Sequence, residues 1–410
     1  MTSSFEVIVI GAGPTGSTTA GLLAKEGVRV LVLEREVFPR FHVGESLLPA
    51  DLAIFERLGA SPASAGFLHK GGAEFFDERI GGRAIYPFSD ALPGTPDHAF
   101  EVERSKFDHW LAENARRLGA DVRYGSRVVT AEADALGVRV STENESFSAR
   151  YLVDATGLDA LIARRDKTTE TIVDFGLAAT FTHFESIDPA VDHELCVTDR
   201  GNVKIFFVDG GWCWVIPLGG RKFSTGHVTR KKGLQPEWLL ERVAESPFLS
   251  RIAKGAVRRN RPGIQTSFSF HGKRQHGARF ICLGDSACFL DPIFSSGISL
   301  GMVGAEHLVD ALVPALRDGT EGRPDLADEH ARHMSIAYDV FATLIQSFYH
   351  SDLLHGLFFA KEQDPILRKG LTSVLAADVW RTDNPFQDML MSSKRRRREL
   401  PPTQVGSGAP

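Results

Sequence analysis

The stretch from Phe5 to Glu34 constrains this chain more than any other. Phe5 to Ile10 reads FEVIVI, a short apolar run of the kind that forms a parallel strand buried on both faces. It stops at Gly11-Ala12-Gly13-Pro14-Thr15-Gly16, a GxGxxG turn, and small and apolar residues at helical spacing continue to Lys25 before Gly27 ends the helix. Arg29 to Leu33 supplies a second apolar strand, with Glu34 at its carboxyl end, 23 residues after Gly11. In such a unit Gly11 permits the tight turn, Gly13 lets backbone approach a pyrophosphate, and Gly16 lets helix and strand pack closely. The phosphates then meet the free N–H groups of the helix start, and Glu34 accepts hydrogen bonds from a ribose. The order strand, turn, helix, strand, acid predicts an α/β, doubly wound domain that binds a dinucleotide.

Later segments bear on which dinucleotide. Tyr151-Leu152-Val153-Asp154-Ala155-Thr156-Gly157 is an apolar strand ending in an acidic, glycine-rich turn, and Phe280-Ile281-Cys282-Leu283-Gly284-Asp285 is a third strand of the same kind. They resemble the DATG and GD motifs of the large FAD family that includes aromatic hydroxylases, geranylgeranyl reductases and flavin-dependent halogenases. The resemblance implies FAD, with Thr15, Asp154 and Gly157 at the cofactor and Asp285 on the flavin ribityl chain. Arg104, in Glu101 to Asp108, and Arg40, in Phe38 to Pro49, lie in segments that this family sets against the cofactor.

From about Val173 to Thr229 the pattern changes to alternating aromatic and polar residues, as in Val203-Lys204-Ile205-Phe206-Phe207-Val208. Alternation predicts an antiparallel sheet with one face buried, lying across the flavin. The expected organisation is a discontinuous Rossmann-like FAD domain (1–172 and 258–330), an inserted substrate-side sheet (173–257), a C-terminal helical region (331–391) and a disordered basic tail (392–410).

Three motifs narrow the chemistry. Gly211-Trp212-Cys213-Trp214-Val215-Ile216-Pro217 is WxWxIP; Trp212 and Trp214 fall on one side of a strand, where their bulk hinders a substrate from reaching the flavin. Phe289 to Ile298 resembles FxDPxxSxG, and the helix implied from Ile298 to Leu312 adds a positive dipole end to its turn. Lys70 stands in Gly66 to Phe75, a KxGAxF-type segment. Together these resemble the flavin-dependent halogenases, in the compact form acting on phenols, pyrroles or carrier-tethered groups.

That resemblance implies FADH2 from a separate flavin reductase, O2, and a chloride or bromide held by Ser296 and Gly297, with Pro292 and Ile298 beside the flavin. Halide attack on a flavin hydroperoxide yields hypohalous acid, which Lys70 presents to an electron-rich aromatic ring. An amine suits that task because it donates when charged and attacks when neutral, and burial lowers its pKa. A monooxygenase or a geranylgeranyl-reductase-like enzyme on the same scaffold remains open, as does a non-catalytic flavoprotein. His42, His69 and His227 sit in or near matched segments as possible general bases.

Composition sets outer bounds. With 43% hydrophobic and 24% charged residues the 410-residue chain is ordinary globular material, and a net charge of −5 gives no pull toward nucleic acid. The basic run Lys394 to Arg398 reads as a solvated tail. Cys196, Cys213, Cys282 and Cys288 lack metal or CxxC spacing and read as reduced thiols. No apolar stretch stands out as a membrane span and no leader precedes the first strand, so a soluble, cytoplasmic protein is expected. Aromatics between Ser335 and Met391, Tyr338, Phe348 and Tyr349 among them, are expected mostly in helix packing.

Overall fold

The computed structural model describes residues 5–173, 175–231 and 233–399, with side chains as far as 393. The apolar runs of the N-terminal half become the centre of a six-stranded sheet. Phe280–Cys282, Tyr151–Asp154, Val7–Ile10, Val30–Leu33 and Asp121–Arg123 lie side by side in parallel, with His276–Gly277 antiparallel at one edge. The first four of these strands are buried at every residue, which is why they are unbroken apolar runs. On one side of Val7–Ile10 the neighbour is Val30–Leu33, and on the other it is Tyr151–Asp154. The chain order reverses there, and the crevice of a doubly wound sheet opens at such a point, beyond the carboxyl ends of the strands.

Helix Pro14–Lys25 packs between Arg104–Arg117 and Ser296–Asp318. The helix implied from Ile298 to Leu312 is longer than its sequence signal, and at 23 residues it is the one described helix long and apolar enough to cross a membrane. Its Met302, Ala305, Leu308 and Leu312 are buried in one cluster with Val7, Val9 and Leu22, so packing inside the protein accounts for its composition.

The second sheet departs from expectation in two ways. It has eight strands, and Gly72–Asp77 and Gly82–Pro87, assigned from sequence to the cofactor domain, belong to it. Gly72–Asp77 is buried throughout, so it lacks the two-residue alternation that marks a half-exposed strand, and it runs parallel to Val203–Val208. The sheet is also covered on both faces. Trp212, Trp214, Ile205 and Val228 point to the cofactor side, whereas Phe206, Cys213, Val215 and Phe223 pack under helices Glu237–Glu245 and Pro247–Ile252. Lys204, a polar position of the alternating segment, is fully buried there, its Nζ 3.2 Å from Glu74 Oε1 and 2.8 Å from Asp199 Oδ2.

Helices Asp328–His350, Leu353–Phe359 and Pro365–Leu375 close the inner face of this sheet. Their aromatics are mostly packing, as expected; Phe358 stacks on Phe75 at 3.8 Å and Phe348 tilts against Phe207 at 4.8 Å. The tail expected to be disordered from 392 is instead helical as far as Glu399, in helix Pro385–Glu399; 400–410 lie outside the described residues. All four cysteines are free thiols.

Candidate functional site

A cavity of about 640 Å³ lies between the two sheets. At its nucleotide end the glycine turn behaves as its spacing requires. A side chain at Gly11, whose φ is +99°, would stand 2.4 Å from Ala155 O, and one at Gly16 would stand 2.0 Å from Gly11 O. A Cβ on Gly13, by contrast, would meet only Arg40 Nη2, at 3.9 Å, and would point into the cavity. Gly13 also begins helix Pro14–Lys25 with no side-chain cap, leaving the first N–H groups open for an anion. Glu34 is turned toward this end because Ala12 N donates to its Oε2 at 2.8 Å and Glu36 N to its Oε1 at 2.9 Å.

The two arginines predicted from sequence both line the cavity and share one buried carboxylate that the motifs did not single out. Arg104 donates through Nε and Nη2 to Asp108 at 2.7 and 3.0 Å, and through Nη1 to the carbonyls of Val43 and Gly44. Arg40 Nη1 lies 3.1 Å from Asp108 Oδ2. Asp108, one helical turn after Arg104, was legible only as an i,i+4 partner.

Asp154 does not reach the cavity. Its carboxylate accepts from Thr156 N and Oγ1 and from Ile162 N, so it builds the turn that presents Gly157, which does line the cavity. Asp285 lines the wall, and burial pushes its carboxyl up to about 6 while Arg104 pulls it down.

Pro292, Gly297 and Ile298 face the cavity together with Thr15; Ser296 does not, so only the glycine of the expected halide pair is on the wall. Ser295, at φ +56°, starts helix Ser296–Asp318 without a side-chain cap, which leaves N–H donors and the positive dipole end beside Gly297. Asp291 holds the preceding turn by accepting from Ile293 N and from Gly176 N.

Trp212 and Trp214 wall the opposite side, ring centroids 5.7 Å apart. Each indole N–H group begins a chain of hydrogen bonds behind the cavity wall. Trp214 Nε1 donates to Ser224 Oγ at 3.2 Å, and Ser224 Oγ donates to Glu45, which also meets His183 Nε2 at 2.7 Å. Trp212 Nε1 donates to Tyr349 Oη at 2.9 Å, and Tyr349 Oη donates to Asp291 at 2.9 Å.

Lys70 ends a short strand, Leu68–Lys70, paired with Ala99–Glu101. Its side chain is 1% exposed and outside the cavity wall. The amine donates to Ser46 Oγ and to Leu47 O, both at 2.8 Å, and sits 5.3 Å from the centre of the Phe88 ring. Ser46 does line the cavity, and it also donates to Glu101 Oε1 at 3.1 Å. Burial lowers the Lys70 pKa, opposed by Glu101 and Asp51, whose own carboxyls burial pushes up to about 8 and about 7. The loop 91–98 joins Phe88 to Ala99 and is pinned from the C-terminal region: Leu92 N donates to Ser373 Oγ, and Thr95 Oγ1 and Arg381 Nη1 both reach Asp378 Oδ2.

Of the three histidines, His42 alone lines the cavity. His69 stacks on His98 at 5.2 Å, and His227 faces the opposite side of the sheet, beside Cys213, where burial pushes its pKa down to about 4.

The open cradle over Gly13, the paired arginines and the uncapped helix starts fit a phosphate-linked dinucleotide, and the space before Trp212 and Trp214 fits a flat ring system. Fold and cavity define an FAD-binding oxidoreductase. The sequence model of the tryptophan halogenase family matches residues 6–96 and 90–377. Tryptophan 2-halogenase of Chondromyces crocatus is 30% identical over 377 residues, covering 87% of this chain and 70% of that protein. The 1H-pyrrole-2-carbonyl-[peptidyl-carrier protein] chlorinase of Pseudomonas fluorescens is 28% identical over 412 residues, covering 92% and 90%. A solved flavoprotein/dehydrogenase of Cytophaga hutchinsonii superposes with a TM-score of 0.86 at 26% identity, covering 97% of this chain and 99% of that one. The chain belongs to the tryptophan halogenase family and is a flavin-dependent halogenase that uses FAD.

Proposed function

We propose that this halogenase chlorinates or brominates an electron-rich aromatic ring of the pyrrole or phenol type, carried to it on a carrier protein. The ring class is supported by coverage: the match takes in 90% of a relative named for a carrier-bound pyrrole but 70% of a tryptophan halogenase. Reduced FAD, delivered by a separate flavin reductase, supplies the O2 chemistry that oxidises halide to hypohalous acid.

The chain's own groups divide the remaining work. The N–H donors and dipole end at Gly297 hold the halide. Trp212 and Trp214 fill the wall facing the flavin end and keep an organic ring from it. Ser46 Oγ, facing the cavity, passes hypohalous acid by hydrogen bonding to the Lys70 amine, which orients the electrophilic halogen for the ring. The ring forms the carbon–halogen bond and loses a proton, and the hypohalous oxygen leaves as water. Glu34, Arg40 and Arg104 anchor the nucleotide portion.

The observation that carries this reading is a buried amine joined to the cavity by a single serine hydroxyl. The test is incubation with a flavin reductase, chloride or bromide, and free and carrier-bound pyrroles and phenols, read by mass spectrometry. A halide-dependent mass shift on a carrier-bound ring is expected. Hydroxylated product without halide dependence would return the chain to the monooxygenase reading.

A further inference from the structure

The indole of Trp212 and the turn that begins at Asp291 come from segments almost 80 residues apart, yet one side chain joins them. Tyr349, on helix Asp328–His350, accepts the Trp212 Nε1 hydrogen bond at 2.9 Å and donates its own proton to Asp291 Oδ2 at 2.9 Å. The same Asp291 oxygen accepts from Gly176 N, and Asp291 Oδ1 caps the turn at Ile293 N. The pair of bonds uses the phenol fully, once as acceptor and once as donor, so its proton has a fixed direction. The Arg230 guanidinium lies over the Tyr349 ring, 5.8 Å from its centre.

We infer that Tyr349 is a positioning residue for halogenation: it ties the tryptophan wall to the turn that leads into the helix start at Gly297, so that the two sides of the halide compartment keep one spacing. The inference rests on the halogenase reading of the cavity for its functional half, and on geometry alone for its mechanical half. The second tryptophan supplies an internal contrast. Trp214 is tied through Ser224 to Glu45 and the 44–46 loop, and that chain does not include Asp291.

Tyr349→Phe keeps the ring and removes both hydrogen bonds. In the FAD-loaded protein, hydrogen exchange followed by mass spectrometry is expected to speed up in 211–217 and in 291–298 together. Ser224→Ala is expected to loosen 211–217 and 43–46 while 291–298 stays as in the wild type. The KM for chloride is expected to rise about tenfold in Tyr349→Phe, the factor that 1.4 kcal/mol of lost anchoring gives, with kcat at saturating chloride changing much less. If Tyr349→Phe does not fold, Trp212→Phe removes the indole N–H, cuts the same chain at its other end and is judged by the same exchange criterion.

Unchanged exchange in 291–298, or a chloride KM equal to wild type alongside a fallen kcat, overturns the positioning role. The two readings fail separately. A wild-type protein without chloride-dependent turnover removes the halogenase function, whereas the exchange pattern decides the tether regardless of turnover.

Discussion

Ser46 Oγ accepts a hydrogen bond from Lys70 Nζ at 2.8 Å, with the serine on the cavity wall and the lysine buried behind it. A lysine held this way has lost its water and kept two acceptors, Ser46 Oγ and Leu47 O, so its charge is supported on one side only. The remaining neighbours are an aromatic face and two carboxyls that burial biases toward their neutral forms.

Lys70→Ala is therefore expected to keep FAD and still consume reduced flavin, because Lys70 is not part of the cavity wall. Halogenated product is expected to fall by at least about a hundredfold, in the range that loss of a positioned acid–base group gives. Product by mass spectrometry, set against reduced flavin oxidised in the same sample, measures this; halogenation at the wild-type yield would remove Lys70 from the chemistry.

Gly13→Val is expected to fold and to lose FAD. Its added atoms enter open space, with Arg40 Nη2 at 3.9 Å the nearest neighbour, and they take the place of the pyrophosphate. Gly16→Val, whose Cβ would stand 2.0 Å from Gly11 O, is expected to fail in folding instead. Thermal melts with flavin absorbance separate the two outcomes, and a yellow Gly13→Val protein would contradict the assignment of the turn.

Asp108→Asn removes a carboxylate that two buried or nearly buried arginines share. Breaking such a pair from one side costs about 3–5 kcal/mol, because the guanidinium charge stays behind uncompensated. Denaturant unfolding is expected to show that loss, and flavin titration is expected to show weaker FAD binding, since Arg104 also holds the Val43 and Gly44 carbonyls at the cavity edge.

The pH dependence of stability has a definite sign at Glu101. Burial raises its folded pKa to about 8, from an ordinary value of 4.5, so between those values the folded state holds a proton that the unfolded state has released. Stability contributed by this group is present below pH 4.5 and is lost as pH rises through 8. Glu101→Gln cannot titrate, so it is expected to flatten the decline across that window, removing up to about 1.4 kcal/mol for each pH unit crossed. Thermal unfolding from about pH 5 to about pH 9 tests it, and a slope unchanged in the variant would show that Glu101 is ionised in the folded state beside Lys70.

Much of the nucleotide half was legible because its constraints are local. An apolar run, a glycine that must take a positive φ, and a glycine that must touch a backbone oxygen are all written within a few residues, as at Gly11 and Gly16. Trp212 and Trp214 were legible for a similar reason, since i and i+2 on a strand share a face. Asp154 was misplaced because a carboxylate that caps a turn and one that meets a ligand look alike in sequence. Gly72–Asp77 was assigned to the wrong layer because burial on both faces erases alternation, and the burial of Lys204 could not be read because its partners Glu74 and Asp199 are remote in the chain. Tyr349 and Asp108 could be named as residues but not as partners; their roles exist only once helices and sheets meet.

The strap at 91–98 bears on how this enzyme would be retuned. It runs from Phe88, whose ring covers the Lys70 amine, to Ala99, which pairs with Lys70, and it is fastened by Ser373, Asp378 and Arg381. Because the amine is 1% exposed, any incoming aromatic must part some of this packing to meet it. Selection for new aromatics would accordingly act on that seam, which lies outside every motif by which the chemistry is recognised, and the oxidising half can stay constant while the clientele changes.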